Sequence, residues 1–148
     1  MKSPVVEFGF EQPEQSSGFL LAQATNRWQR EMRKALDPVG LTHTQFVVLA
    51  SVGWLGRQGA GVTQAQVVAH AHLDAMNTSN VMRTLMAKEL LVRREHATDT
   101  RAKPVALSAT GGRLLQRAVQ AVEAADRAFF AALSQPAAFN EALRQLGT

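Results

Sequence analysis

Residues 62–94 read VTQAQVVAHAHLDAMNTSNVMRTLMAKELLVRR, and this stretch decides the fold. Thr63-Gln64-Ala65-Gln66 has the spacing of a capping box, in which a hydroxyl and an amide three residues apart satisfy each other's backbone donors. It predicts a short helix running to His70 or Ala71. After a brief turn, Asp74 can cap a second helix from Ala75 to about Lys88. Met76, Val81, Leu85 and Met86 form the apolar side expected of that helix. The period then changes, and Leu91 to Glu95 and Val105 to Leu107 read as two short strands. The loop between them, His96-Ala97-Thr98-Asp99-Thr100-Arg101-Ala102-Lys103, is polar and basic. Two capped helices joined by a tight turn, then a ribbon with a basic tip, make the pattern of a winged helix-turn-helix.

That pattern carries its own chemistry. A helix fits the major groove, and residues near its N-terminus reach base edges. Short polar donors and acceptors stand there: Asn77, Thr78, Ser79 and Asn80, with Arg83 one turn on. Asparagine can pair bidentately with adenine and arginine with guanine. Thr63 and Gln64 open the preceding helix, where first-turn N–H groups can hold a phosphate. Arg101 at the ribbon tip is long and flat enough to enter a minor groove. Arg93, Arg94 and Lys103 add positive charge nearby. Each group has a plainer reading. Asn, Ser and Thr favour helix starts in any case, and Arg93 or Arg94 could pair with Asp99 instead of a phosphate.

Working outward, Thr42-His43-Thr44-Gln45 is a further capping box. It predicts a helix with Phe46, Leu49, Ala50, Gly53 and Trp54 inward, closed by residues 56–61. Upstream, Leu21, Ala24, Trp28, Met32 and Ala35 recur at three and four within a helix from Ser17 to Leu36. Asp37-Pro38 ends it. Downstream, Ser108 can cap a helix from Ala109 to Leu133, with Leu115, Ala118, Val122, Ala125, Phe129 and Ala132 as its stripe. Its length of roughly 37 Å exceeds what a small winged domain needs and predicts packing outside the domain. Pro136 opens a terminal helix with Phe139, Leu143 and Leu146. Residues 1–16 read as an arm in which Phe8 and Phe10 need a surface to pack on, such as a partner subunit. The expected architecture is mainly α with a small β-ribbon wing, as one domain over residues 1–148. A DNA-binding lobe spans 42–108, flanked by dimerisation helices at 17–36 and 109–148.

Composition narrows the function. The 148 residues carry a formal net charge of +4 and no cysteine, with an isoelectric point of about 10.3. Lack of cysteine excludes disulfides, thiolate catalysis, cysteine-ligated zinc and thiol-based peroxide sensing. Tyrosine is absent too, and there is no glycine-rich phosphate loop, so an enzyme is not expected. His70 and His72 do not face each other on a helix; no metal site and no cofactor are expected. No apolar run approaches bilayer length, and the N-terminus lacks a basic-then-apolar signal. A cytoplasmic protein without a membrane partner is the expectation.

The segments LTHTQFVVLASV (41–52), residues 62–94 and DTRAKPVALSATGGRLL (99–115) together resemble the MarR family of bacterial transcriptional regulators. The resemblance covers roughly Ser17 to Leu133. Its most specific part is Asp99-Thr100-Arg101 ahead of the Leu107-Ser108-Ala109-Thr110-Gly111 helix entry. It implies a homodimer joined by the first and last helices, bound to a pseudo-palindrome in double-stranded DNA and acting as a repressor. It assigns Arg101 to the minor groove and Asp99 to holding Arg93, Arg94 or Arg101 itself. It also implies a cleft for a small aromatic or phenolic acid, for which Gln23, Arg27, Trp28, His43, Phe46 and Trp54 are the candidates. Glu89 stands where the family has glycine after the recognition helix. Either Glu89 is left-handed, at ~1 kcal/mol relative to glycine, or the helix runs on to Leu90 and shifts the wing. The alternative function is a winged protein-interaction module without specific DNA binding.

Overall fold

The computed structural model describes residues 1–94 and 103–147. Helix α1 (Ser17–Leu36) begins at Ser16, whose Oγ accepts from Phe19 N at 3.2 Å. A 3-10 turn at Asp37–Val39 and left-handed Gly40 (φ 71°) end it. Helices α2 (His43–Leu55) and α3 (Gln64–Ala71) each start in a complete capping box. Thr42 Oγ1 accepts from Gln45 N at 3.1 Å, and Thr63 Oγ1 from Gln66 N at 3.2 Å. Helix α4 (Ala75–Ala87) is capped by Asp74, which accepts from Asn77 N at 2.7 Å.

Strands β1 (Leu91–Arg93) and β2 (Val105–Leu107) pair antiparallel, with Leu91 opposite Leu107 and Arg93 opposite Val105. Val62 also bridges to Val105, with N···O distances of 2.9 and 2.8 Å in the two directions. Sequence periodicity gives no sign of this third rung, because one extended residue has no period. Helix α5 (Ala109–Phe130) starts at Ser108, and α6 (Pro136–Gly147) follows. Helix α5 stops three residues short of the expected Leu133. The chain must turn back before Pro136, and the turn lets Phe130 pack against Phe139 at 5.9 Å between ring centroids.

Helix α2 is the hub, touching α1, α3, α4, α5 and β2. Val48, Leu49 and Val52 are buried on it, against Met32 and Leu36 of α1, Val67 of α3, Leu85 of α4 and Val105 of β2. Burying each such side chain contributes about 1.5–3 kcal/mol. Being apolar nearly all round, α2 has no stripe from which to read its inward face. Trp54, expected inward, is 58% exposed, with the Arg57 guanidinium 4.1 Å from its ring centroid. Helix α1 is buried within the chain at its C-terminal half. Met32 and Leu36 are buried, whereas Leu21 and Ala24 are exposed. Phe8 and Phe10 of the arm are exposed as well. No described helix is long and apolar enough to cross a membrane.

Candidate nucleic-acid interface

The α3–α4 unit is built by local hydrogen bonds. His72 takes a left-handed conformation (φ 53°) at the end of α3, which reverses the chain within three residues. Gln64 then reaches from the start of α3 to donate to the Ala75 carbonyl at 3.0 Å, fixing the start of α4. Residues 78, 82 and 85 share one face of α4, and all three are buried. The opposite face carries Met76, Asn80 and Arg83, spaced i, i+4, i+7, and all exposed.

This placement corrects two expectations. Thr78 is 1% exposed, and its Oγ1 donates to the Asp74 carbonyl at 2.6 Å. It ties down the first turn of α4 and does not reach a groove. Met76, expected on the apolar inner side, is 77% exposed. Thr78 satisfies its one donor within the helix, so burial costs it little. The helix can therefore roll to put Val81, Met82 and Leu85 inward.

Beside this face lies a groove of about 480 Å³ between α3, α4 and the ribbon, lined by Thr63, Gln64, Ser79, Arg83, Arg93 and Lys103 among others. Among the described residues, no acidic side chain lines it. Its three cations take part in no salt bridge among the described residues. Asn77 is exposed at the flank of α4. Arg83 Nη2 donates to Asn80 Oδ1, so the carbonyl half of the Asn80 amide is engaged in holding the guanidinium. Arg94 parts company with Arg93. Its N donates to the Pro104 carbonyl at 2.9 Å, and its side chain lines a different cavity, with Val52, Gly56 and Leu107. Consecutive residues of an extended strand point to opposite faces, so Arg93 and Arg94 could not both face the groove. Asp99 and Arg101 lie outside the described residues.

The six residues expected to line a ligand cleft are dispersed. Trp28 donates from Nε1 to Asp126 Oδ1 at 2.8 Å and meets the His43 ring edge-on at 5.1 Å. Burial pushes the His43 imidazole below its usual pKa, and the Asp126 carboxylate opposes that shift. Gln23 and Arg27 are exposed on α1. Phe46 and Trp54 line a separate cleft of about 530 Å³ between α2, α3 and α5, together with Arg57, His70, Leu115 and Glu123. Arg57 and Asp126 escaped the sequence reading. Neither belongs to a motif, and their partners are set by packing.

This arrangement is matched by known proteins. Residues 37–124 match the family model described as ArnR1-like, winged-helix domain. The chain is 39% identical over 137 residues, 93% of each chain, to the uncharacterized HTH-type transcriptional regulator YdcH of Bacillus subtilis. It is similar to BpsR of Bordetella bronchiseptica, whose DNA binding is regulated by 6-hydroxynicotinic acid. The TM-score is 0.82 at 25% identity, covering 94% of this chain and 98% of that one. It is also similar to the Mycobacterium tuberculosis MarR family protein Rv2887 solved with DNA, with a TM-score of 0.67 at 30% identity over 90% and 98% of the two chains. That protein, an HTH-type transcriptional repressor, has also been solved with salicylic acid. With a winged-helix match spanning the lobe and relatives aligned over nearly the whole length, the chain belongs to the MarR family of winged helix-turn-helix transcriptional regulators.

Proposed function

We propose that two copies of this chain pair through α1, α5 and α6 and set their two α4 helices into successive major grooves of a pseudo-palindromic operator. The observation that carries this reading is the groove beside the exposed face of α4, whose cations Arg83, Arg93 and Lys103 form no salt bridge among the described residues. Arg83, Asn80 and Ser79 face base edges, with Asn77 at the flank. Arg93 and Lys103 take phosphates, as does the start of α3 at Thr63 and Gln64. Arg101 enters the minor groove with Asp99 behind it, as the family resemblance implies. Leu20, Leu21, Leu143 and Leu146 leave apolar surface exposed on α1 and α6, which a partner subunit covers. Bound this way, the dimer represses transcription.

Release comes from a small aromatic acid in the cleft between α2, α3 and α5. Phe46 and Trp54 supply the walls and Arg57 the counter-charge. The regulation of BpsR by 6-hydroxynicotinic acid supports this reading. A ligand acts as a switch only through unequal affinity for the DNA-competent and DNA-incompetent dimer shapes.

The test is selection of bound sequences from random duplex DNA with the purified protein at near-physiological salt. An inverted repeat with half-sites about 34 Å apart, bound with steep salt dependence, is expected. Recovery of no motif would overturn the reading and favour a winged domain that binds protein partners.

A further inference from the structure

The exposed face of α4 carries one residue that neither phosphate binding nor hydrogen-bond readout employs. Met76 is 77% exposed at the second position of the helix, one turn before Asn80 and two before Arg83 on the same line. The other exposed large hydrophobic residues among those described lie on the arm, α1, α2, α6 or β1, and Met76 alone stands on the α3–α4 unit. Its neighbours Asn77 and Asn80 are exposed and polar, and no apolar surface among the described residues covers it.

Of the groups that base pairs present in the major groove, one is apolar: the C5 methyl of thymine. A side chain at the start of a recognition helix is where base edges are met. A thioether chain with three rotatable bonds adapts readily to a methyl-sized partner. We infer that Met76 is a specificity-determining residue that reads a thymine methyl group in each half-site. The inference rests on the DNA-binding reading above. It adds a hydrophobic term beside the hydrogen bonds of Arg83, whose guanidinium Asn80 holds. Arg83 and Asn80 follow Met76 along α4, so the thymine is displaced from the base pair read by Arg83 toward the α4 N-terminus.

Replacing thymine by deoxyuridine removes that methyl and leaves every hydrogen-bonding group in place. The experiment uses the operator recovered by selection, with each thymine of a half-site replaced in turn, and compares the intact protein with Met76→Ala. At one thymine the wild type should bind the uracil duplex about fourfold more weakly, the equivalent of ~0.8 kcal/mol for one buried methyl-sized group. At that position Met76→Ala should bind both duplexes equally. Insensitivity of the wild type at every thymine, or half-sites without thymine, would overturn the assignment. So would a thymine-to-uracil ratio that Met76→Ala leaves unchanged. In those cases DNA binding persists and only the role of Met76 falls, whereas recovery of no operator would overturn the DNA-binding reading with it. Met76→Ala should melt at the wild-type temperature, since the side chain is exposed and alanine favours helix.

Discussion

The Ser108 hydroxyl donates to the backbone carbonyl of Glu89 at 2.6 Å. The same oxygen accepts from Gly111 N at 2.9 Å, and Ser108 N donates to the Leu90 carbonyl at 3.0 Å. One residue thus caps α5 and clasps the turn that leaves α4. Glu89 is held there at φ 59°, so the left-handed option is realised, α4 ends at Ala87 and the wing keeps its register. Ser108→Ala should cost about 1–2 kcal/mol in urea unfolding, and Ser108→Thr much less. Glu89→Gly should stabilise by up to ~1 kcal/mol. Wild-type stability of Ser108→Ala would refute the clasp.

Adjacent glycines at the start of α5 should respond in opposite ways. A Cβ on Gly111 would lie 2.0 Å from the Leu90 carbonyl oxygen, whereas one on Gly112 would meet nothing within 4 Å. Backbone cannot yield as a side chain tip does. Gly111→Ala should therefore cost ~3 kcal/mol or more and displace the wing. Gly112→Ala should stabilise by about 0.5–1 kcal/mol through helix propensity. Paired thermal melts decide this, and similar shifts for the two would contradict the close approach.

Asn80 and Arg83 should act as one unit in binding. Because Arg83 donates to Asn80, the amide aims the guanidinium and is not free to grip adenine bidentately. Arg83→Ala should cost about 1–3 kcal/mol on the selected operator and much less on random DNA. In a double-mutant cycle, adding Asn80→Ala to Arg83→Ala should cost little more. Additive losses would mean that Asn80 reads its own base.

Acid should weaken the fold through His43. Burial lowers its pKa in the folded state below 6.5, against the pull of Asp126. The native state therefore prefers the neutral ring. Its contribution is complete above the unfolded value. As pH falls, the unfolded chain takes up the proton first, so stability is lost down through the lowered folded pKa and then levels off. The Tm of His43→Gln should fall less than that of the wild type between about pH 7.5 and about pH 5. An equal fall in both proteins would assign the acid sensitivity elsewhere.

Trp54 and Arg57 should separate ligand response from DNA binding. Both line the cleft between α2, α3 and α5, and neither lines the groove beside α4. Trp54→Ala and Arg57→Ala should keep operator affinity within about twofold, a shift well under the 1.4 kcal/mol of a tenfold change. Both should blunt release by 6-hydroxynicotinate or salicylate in a fluorescence-anisotropy titration. Unaltered release in both variants would move the ligand to another cavity.

Much of the architecture was legible because it is written in short-range interactions. The caps at Thr42, Thr63, Asp74 and Ser108 each join residues three apart. Such a hydrogen bond forms or fails on local sequence alone, so the starts of α2 through α5 could be read directly. The change from helical period to alternation at Leu91 likewise marked the wing.

Sequence by itself therefore determined the order of elements, their N-terminal boundaries and the chemistry available to the α3–α4 unit. Tertiary structure decided which way each element faces. Polarity suggested Thr78 for the groove and Met76 for the core, and packing buried the first and left the second exposed, since a threonine that bonds its own helix can be buried. On an all-apolar α2 only its neighbours could leave Trp54 outside. Arg93 and Arg94 are equal in sequence and opposite in space, because the pairing of β1 with β2 sets which face each takes. Glu89 could be left-handed or helical by local preference, and contacts from Ser108, nineteen residues away, settle it. In each case the deciding partner is distant along the chain, and no local pattern can encode a contact that exists only after the chain has folded.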